Sequence, residues 1–117
     1  MNILIVDDEP LVTESLEYLL EDEFVVTSYN HPEEALTMLR DGHVFHVILS
    51  DFKMPVMNGI EFLEEAKVLL PSCHRIILTG YSDVTEINLA LSSGVIEHVI
   101  KKPFSIDALR TIINKFS

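Results

Sequence analysis

The sequence lacks the features of a membrane-spanning, secreted or disulfide-bonded protein. No apolar run approaches the ~18 residues needed to cross a bilayer, and the N-terminal MNILIV leads into acids without a basic region or a cleavage signal. Cys73 is the only cysteine, so an internal disulfide is excluded, as is typical of a reducing compartment. We expect a soluble, cytoplasmic protein in which Cys73 is a partly packed loop thiol.

Basic residues are also scarce. Eight Lys and Arg against nineteen Asp and Glu give a formal net charge of −11, which repels nucleic acid at long range. The sequence contains no GxxxxGK[ST] segment and therefore no P-loop nucleotide site. We expect neither direct DNA or RNA binding nor a membrane partner. Most of the acidic charge is a solvated surface, and part of it is available for a cation site.

Apolar runs alternate with amphipathic segments along 117 residues, a length typical of one domain. The sequence therefore predicts a single domain over residues 1–117. Short β-branched runs predict strands at 3–6, 24–29, 47–50, 76–79 and 98–101. Helical spacing of apolar residues predicts helices at 10–21, 32–40, 59–70, 83–93 and 105–116. Predicted helix starts are Asp8 or Glu9, Asn30 or His31, Asn58, and Ser105.

Strands that alternate with helices form a parallel sheet with right-handed crossovers and helices on both faces. We therefore predict an α/β fold with a doubly wound, five-stranded parallel sheet. The continuous apolar runs at 3–6, 47–50 and 76–79 are typical of central strands, which are buried on both faces. The more polar runs at 24–29 and 98–101 are expected at the edges.

Polar side chains follow four of the five predicted strands. In an open parallel sheet, the carboxyl ends of the strands line one crevice, where ligands bind. The residues expected there are Asp7, Asp8, Asp51, Thr79 and Lys102. Taken singly, they have ordinary explanations as helix caps, turn residues or a solvated lysine. Their occurrence at successive strand ends favours one shared site, because capping requires neither a doubled acid nor a lysine at the far edge.

The predicted cluster of Asp7, Asp8 and Asp51 has a specific chemistry. Carboxylates within ~4–6 Å repel by roughly 4 kcal/mol per closest pair at an effective dielectric of about 20. A hard divalent cation such as Mg²⁺ relieves that repulsion by taking oxygen ligands. With Lys102 as a compact positive charge and Thr79 as a hydroxyl donor, the site is a receptor for a phosphoryl group. Asp51, in the middle, is the predicted nucleophile that would form an aspartyl phosphate.

Four segments of the chain resemble one known family. They are VDDEP (6–10), SDFKMPVMNGIEFL (50–63), ILTGYSD (77–83) and KPF (102–104). In order and spacing they are similar to the receiver domain of bacterial two-component response regulators, of which the chemotaxis-type receivers are the simplest. The resemblance covers essentially the whole chain and implies a flavodoxin-like (βα)5 fold with strand order 2-1-3-4-5.

The resemblance implies how the acids work. Asp51 would accept a phosphoryl group from a phosphohistidine on a sensor histidine kinase or a phosphotransfer protein. Asp8 and Asp51 would bind Mg²⁺ directly, together with the backbone carbonyl of Lys53. Asp7 would act mainly through bound water.

The resemblance also implies a switch. Lys102 would pair with Asp51 and later with the phosphoryl oxygens. Thr79 would be drawn toward the phosphoryl group, which moves the loop after the fourth strand. The Lys102–Pro103 bond would be cis, which proline makes inexpensive.

The chain departs from the family pattern in two places. Receivers commonly carry Tyr or Phe three residues before the lysine, whereas this chain has Val99. The adjacent Lys101 makes the register of the fifth strand ambiguous. If that strand were shifted by one residue, His98 would take the place of the aromatic residue. Lys102 is assigned as the functional lysine because proline follows it. The second departure, Lys53, lies at a position that varies in the family.

The predicted function is a phosphorylation-controlled signalling switch that changes a partner-binding surface. The chain is expected to catalyse only its own phosphorylation and dephosphorylation. Its output would be a downstream effector, in a separate protein or in a longer chain from which this receiver was cut. A phosphorylation-dependent homodimer through helix four, strand five and helix five is also expected. The residues expected on that face are Val84, Ile87, Glu97, Lys101 and Arg110.

Two other functions remain open from the sequence. A Mg²⁺-dependent phosphatase with an aspartate nucleophile would use a similar site, but such enzymes generally carry a second acid where this chain has Lys53. A phosphorylation-independent interaction module would keep the fold with a vestigial site, and the complete set of site residues argues against such decay. The histidines lack metal-ligand spacing.

Overall fold

The structure, a computed structural model, describes residues 1–80 and 84–116, in which strands and helices alternate as predicted. The strands are β1 (Asn2–Val6), β2 (Val25–Tyr29), β3 (Val47–Asp51), β4 (His74–Thr79) and β5 (His98–Lys101). The helices are α1 (Pro10–Leu20), α2 (Pro32–Arg40), α3 (Gly59–Leu69), α4 (Thr85–Ser93) and α5 (Ile106–Asn114). Of the helices in this described part of the chain, none has the length and apolar character needed to cross a bilayer.

The strands lie parallel in one sheet, in the order β2-β1-β3-β4-β5. This is the doubly wound, flavodoxin-like arrangement, and the predicted fold class is confirmed. β1, β3 and β4 are central, and β2 and β5 form the edges, as their composition indicated. The register pairs Val6 with Ser50 and Asp51 with Leu78, so the carboxyl ends of neighbouring strands are level.

Two apolar cores lie on opposite faces of the sheet, because alternate strand residues point to opposite sides. One core joins the strands to α2, α3 and α4, and it includes Leu4 and Ile48. The other core joins the strands to α1 and α5, and it includes Ile5 and Leu49. A helix layer on each side buries residues 3–6, 47–50 and 75–79 of the central strands, which is why these sequences are mostly apolar rather than alternating.

The helix starts show which polar residues are structural caps. Asn58 begins α3 with a capping box: its side chain accepts from the Glu61 N–H, and the Glu61 carboxylate accepts from the Asn58 N–H. At the start of α5, the Ser105 hydroxyl accepts from the Ala108 N–H. The N-cap of α1 is Glu9, whose side chain makes no cap hydrogen bond. The two acids that precede Glu9 are therefore not explained as caps of α1.

Some details differ from the sequence prediction. β4 begins at His74 rather than at residue 76. Cys73 is only 2% exposed and belongs to a core rather than being partly packed, and burial raises the pKa of its thiol. Helical spacing from Ile87 predicts that Leu91 also faces inward in α4, but Leu91 is 40% exposed because the buried face of the helix passes through Ile87 and Ala90. The predicted start of this helix at residue 83 lies outside the described residues.

A buried arginine on β4 fixes the turn after α4. Arg75 is 4% exposed. Its guanidinium donates to the backbone carbonyls of Val95 at 2.7 Å, Cys73 at 2.7 Å and Gly94 at 3.3 Å. These bonds satisfy a charged group that would otherwise be costly to bury. They also attach the C-terminal end of α4 to the sheet, which the sequence did not predict.

The chain passes very close to β3 at Gly59, the first residue of α3. The Gly59 N–H donates to the Phe52 carbonyl at 2.7 Å. A Cβ at Gly59 would lie 2.1 Å from the Asp51 carbonyl oxygen and 2.8 Å from Ile77 Cδ1. Glycine is therefore required for α3 to begin so close to the end of β3.

Gly59→Ala is expected to lower the free energy of unfolding by about 3 kcal/mol, because the backbone of β3 must move to accept the added methyl group. Urea denaturation measures the change. Gly80→Ala is the matched control, since no atom of the described residues, apart from those of its chain neighbours, lies within 4 Å of a Cβ there, and it should stay within about 0.5 kcal/mol of the wild type. Equal stability of Gly59→Ala and the wild type would contradict the close approach.

Candidate functional site

The carboxyl edge of the sheet gathers the polar residues predicted at the strand ends. Asp7 and Asp8 follow β1, and Asp51 is the last residue of β3, which pairs with β1. Thr79 ends β4, and Lys102 follows β5. Because these strands are neighbours in the sheet, their ends lie side by side at one edge.

Asp7, Asp8 and Asp51 form a compact group of carboxylates. Each offers one oxygen, and these oxygens lie within 4.8 Å of one another. Asp7 is only 1% exposed, and the other two acids are half-buried. Within the described residues, no other set of three or more His, Cys, Asp or Glu side chains is close enough to share a metal ion. Charges this close repel by roughly 4 kcal/mol at an effective dielectric of about 20, so the group needs positive charge nearby.

Lys102 supplies one positive charge to this group. Its Nζ donates to Asp51 Oδ1 at 2.9 Å and lies 3.7 Å from Asp7 Oδ2. Burial alone would lower the pKa of Lys102, but the hydrogen bond and the charge of Asp51 outweigh burial, and the pKa is raised. Lys101, the other candidate, is exposed. The peptide bond between Lys102 and Pro103 is cis, as the resemblance implied.

Asp7 has one carboxylate oxygen without a hydrogen bond. Oδ1 accepts the Glu9 N–H at 2.9 Å, whereas the buried Oδ2 has no hydrogen-bond partner within the part of the chain that is described. Burial is the main cause that raises the pKa of Asp7 to about 6, and repulsion from Asp51 and Asp8 adds to it. The Glu9 N–H and Lys102 act in the opposite direction. A buried acceptor beside two further carboxylates fits a hydrated divalent cation, which takes oxygen ligands and keeps several waters.

The loop after Asp51 contains a strained turn. Val56 has a φ of 70°, which a β-branched residue rarely adopts. The Met57 N–H donates across this turn to the Pro55 carbonyl at 2.7 Å. Lys53 lies earlier in the same loop and is exposed. Strained backbone of this kind clusters at functional sites, so the outlier supports a functional role for this loop.

Comparison with known proteins identifies the family. The sequence pattern described as response regulator receiver domain matches residues 3–114. The chain belongs to the response regulator receiver family. This receiver is 36% identical over 107 residues to the hydrogenase transcriptional regulatory protein HoxA of Bradyrhizobium diazoefficiens, covering 92% of this chain and 22% of HoxA. It spans between 22% and 26% of the length of the curated relatives HoxA and ZraR.

Solved receivers have the same fold. A response regulator receiver domain from Clostridium thermocellum superposes with a TM-score of 0.89 at 31% identity, covering 98% of this chain and 92% of that one. The response regulator TrrA of Thermotoga maritima, solved in complex with Mg²⁺ and BeF, superposes with a TM-score of 0.82 at 29% identity, covering 99% and 98%. The chain is thus a receiver of the two-component signalling type in both sequence and structure.

The fifth strand of this receiver is not shifted in register. Val99 pairs with Ile77 and packs, partly buried, against the core beneath α2, α3 and α4. His98 lies on the other face of the sheet, where its ring is 5.7 Å from the Phe116 ring in an edge-on arrangement. His98 therefore does not take the place of the aromatic residue that receivers commonly carry.

Asn30 belongs to the site, although the sequence indicated it only as a possible start of α2. The N-cap of α2 is His31. Asn30 instead donates from Nδ2 to the Asp7 carbonyl at 2.9 Å and to Thr13 Oγ1 at 3.0 Å. It directly follows β2, the strand end at which no site residue was predicted. This position directly after a strand is the feature of the sequence that could have indicated Asn30 as a site residue.

Asp7 makes the stability of the receiver pH-dependent when no divalent cation is bound. Its folded-state pKa is about 6, against an ordinary value of 3.8. Between these two values the folded state binds more protons than the unfolded state, so the free energy of unfolding falls as pH rises from about 4 to about 6. At about 1.4 kcal/mol per pH unit, the loss is roughly 3 kcal/mol.

Urea denaturation across this pH range in the presence of a chelator measures the effect. Asp7→Asn should remove this part of the pH dependence and be more stable than the wild type at neutral pH. Asp41→Asn, at an exposed acid after α2, is the control and should keep the wild-type profile. Parallel profiles for the wild type and Asp7→Asn would contradict the raised pKa.

Proposed function

We propose that this receiver is a phosphorylation-controlled signalling switch whose phosphoacceptor is Asp51. The observation that carries the proposal is the position of the Asp51 carboxylate, within 4.8 Å of Asp7 and Asp8 and 2.9 Å from Lys102 Nζ. The attacking oxygen therefore adjoins both the acids that suit a cation and a fixed positive charge. Phosphoryl transfer relies on this kind of positioning and charge neutralisation.

The proposed cation is Mg²⁺, bound by Asp8, Asp51 and the backbone carbonyl of Lys53, with Asp7 acting through water. Mg²⁺ usually binds one or two carboxylates together with waters and substrate phosphate oxygens, and this donor set suits that preference. The structure of TrrA in complex with Mg²⁺ and BeF supports the assignment. When bound, the ion would neutralise charge on the incoming phosphoryl oxygens.

The proposed donor is a phosphohistidine on a sensor histidine kinase or a phosphotransfer protein. A carboxylate oxygen of Asp51 forms a bond to phosphorus while the phosphorus–nitrogen bond breaks. The imidazole leaves with the electron pair and takes up a proton. Lys102 Nζ, which binds Asp51 before the reaction, binds a phosphoryl oxygen afterwards, and the Thr79 hydroxyl donates to another. The product is an aspartyl phosphate.

Phosphoryl binding by Thr79 and Lys102 would change how the ends of β4 and β5 are held. The Lys102 N–H donates to the Thr79 carbonyl at 2.8 Å, so a backbone hydrogen bond links these two residues. Asn58 Nδ2 donates to the two Glu86 carboxylate oxygens at 3.2 and 3.1 Å, which connects the loop after Asp51 to α4. Moving a two-state equilibrium from about 1:99 to 99:1 requires about 5.5 kcal/mol. The proposed source of this free energy is the contact of the dianionic phosphoryl group with the cation, Lys102 and Thr79.

The output surface is proposed on α4, β5 and α5, but not all residues expected there are available. Ile87 is 1% exposed, so the expectation that it contributes to this surface is wrong. Arg110 donates to the Leu19 carbonyl and so faces α1. Glu97 and Lys101 are exposed. A homodimer through this face, a downstream effector and a cytoplasmic location remain predictions.

Mass spectrometry after incubation with phosphoramidate and Mg²⁺ tests the acceptor. Phosphoramidate is suitable because it contains the same phosphorus–nitrogen bond as phosphohistidine. The receiver should gain one phosphoryl group, Asp51→Asn should gain none, and a chelator should prevent the gain. Asp41→Asn is the control and should be modified like the wild type. An unmodified wild type, or equal modification of Asp51→Asn, would refute the proposal.

The other two functions left open by the sequence make different predictions. A phosphatase would hydrolyse p-nitrophenyl phosphate in excess over the protein, whereas we expect no such turnover. A phosphorylation-independent interaction module with a vestigial site would bind no Mg²⁺, whereas we expect binding in a calorimetric titration. Turnover in the first assay would favour the phosphatase, and absence of binding in the second would favour the interaction module.

A further inference from the structure

The side chain of Asn30 ties the end of β2 to the acidic turn after β1. Its Nδ2 donates to the Asp7 carbonyl at 2.9 Å and to Thr13 Oγ1 at 3.0 Å. The Thr13 hydroxyl donates its own proton to the Pro10 carbonyl at 3.0 Å, which leaves its lone pairs to accept from Asn30. Thr13 is 3% exposed and Asp7 1%, so both residues that accept from Asn30 are buried, whereas Asn30 itself is half-buried. We call it the Asn30 clamp.

The Asn30 clamp acts on the peptide that joins the two acids. The Asp7 carbonyl belongs to the planar Asp7–Asp8 peptide unit, so its orientation affects where both side chains emerge. The Asp7 N–H donates to the Tyr29 carbonyl at 3.2 Å. Asp7 is therefore held on both sides of its Cα by two consecutive residues at the end of β2.

Helix capping does not account for Asn30. The N-cap of α2 is His31, and its side chain makes no cap hydrogen bond. Both bonds of the Asn30 amide lead toward β1 and α1 instead. A residue needed only to begin α2 has no reason to place its amide against the carbonyl of Asp7.

We propose that Asn30 is a positioning residue for the Mg²⁺ site, which holds the Asp7–Asp8 peptide against the repulsion among the clustered carboxylates. The inference rests on the proposed function, because it concerns the same cation. Without the clamp, the repelling acids can move apart, and a cation must bring them together again at a cost in affinity. Residues that orient metal ligands from outside the coordination shell commonly contribute about 10–100-fold to metal affinity.

Removing the clamp should weaken Mg²⁺ binding in graded steps. Asn30→Ala loses both bonds and should bind Mg²⁺ about tenfold more weakly, which corresponds to about 1.4 kcal/mol. Thr13→Val removes the hydroxyl but leaves the Asn30 bond to the Asp7 carbonyl, so the expected weakening is about threefold. Thr13→Ser keeps the hydroxyl and should bind Mg²⁺ like the wild type.

Isothermal titration calorimetry with MgCl₂ measures this affinity without any phosphoryl transfer. The rise in Tm caused by Mg²⁺ is a second measurement, which separates an effect of a substitution on Mg²⁺ binding from its effect on the stability of the fold. Ser28→Ala is the matched control, since the Ser28 hydroxyl also links β2 to α1 but donates to Glu17 rather than to the acidic turn. A merely structural role of Asn30 would lower the Tm equally with and without Mg²⁺. Positioning predicts a smaller Mg²⁺-induced rise in Asn30→Ala than in Ser28→Ala.

The outcomes separate this inference from the proposed function. Binding by the wild type together with about tenfold weaker binding by Asn30→Ala supports the inference. Equal binding by the two proteins, or an equal loss in Ser28→Ala, overturns the inference and leaves the proposed function intact. If the wild type binds no Mg²⁺, the proposed function itself fails. Should Asn30→Ala not fold, Thr13→Val compared with Thr13→Ser provides the same test.

Discussion

The repulsion among Asp7, Asp8 and Asp51 must be resisted by the backbone that carries them, since their oxygens lie within 4.8 Å of one another. β1 and β3 provide that resistance because both are central strands with a helix layer on each face. Their continuous apolar sequences thus bury the strands firmly enough to hold the charged residues at their ends in place. Lys102 relieves part of the repulsion, and it directly follows β5, which lies on the far side of β4. The geometry of the site therefore depends on the whole sheet rather than on any single loop.

The fold and the place of the site could be predicted from the sequence because both follow from strand ends. Apolar runs separated by helices imply a parallel sheet, and a parallel sheet gathers whatever follows its strands. Details that depend on rotation or register could not be predicted. Periodicity over the nine residues of α4 does not distinguish Ala90 from Leu91 as the buried position. The sequence leaves the orientation of His98 ambiguous because Lys101 and Lys102 are adjacent, and the pairing of Val99 with Ile77 resolves it.

The structural roles of two side chains were not predicted because both side chains donate to backbone carbonyls. Asn30 binds the carbonyl of Asp7, and Arg75 binds those of Gly94 and Val95. A sequence shows which donors are present, but the carbonyl that a donor reaches is determined only once the elements have packed. An arginine inside an apolar strand even looks unfavourable in the sequence. In the fold its charge lies at the C-terminal end of α4, where the helix dipole favours a cation.

These contacts make the two ends of α4 different. Arg75 attaches the turn after the helix to β4, whereas at the first turn Glu86 binds Asn58, which belongs to the loop that follows the proposed phosphoacceptor. A rearrangement of that loop would therefore act on the N-terminal end of α4 while the C-terminal end stays attached. Val99 is compatible with such a switch, because neither the Asn58–Glu86 contact nor the backbone hydrogen bond between the ends of β4 and β5 needs an aromatic side chain at that position. Val99 at the position where receivers commonly carry an aromatic residue therefore leaves both of these contacts available to the proposed switch.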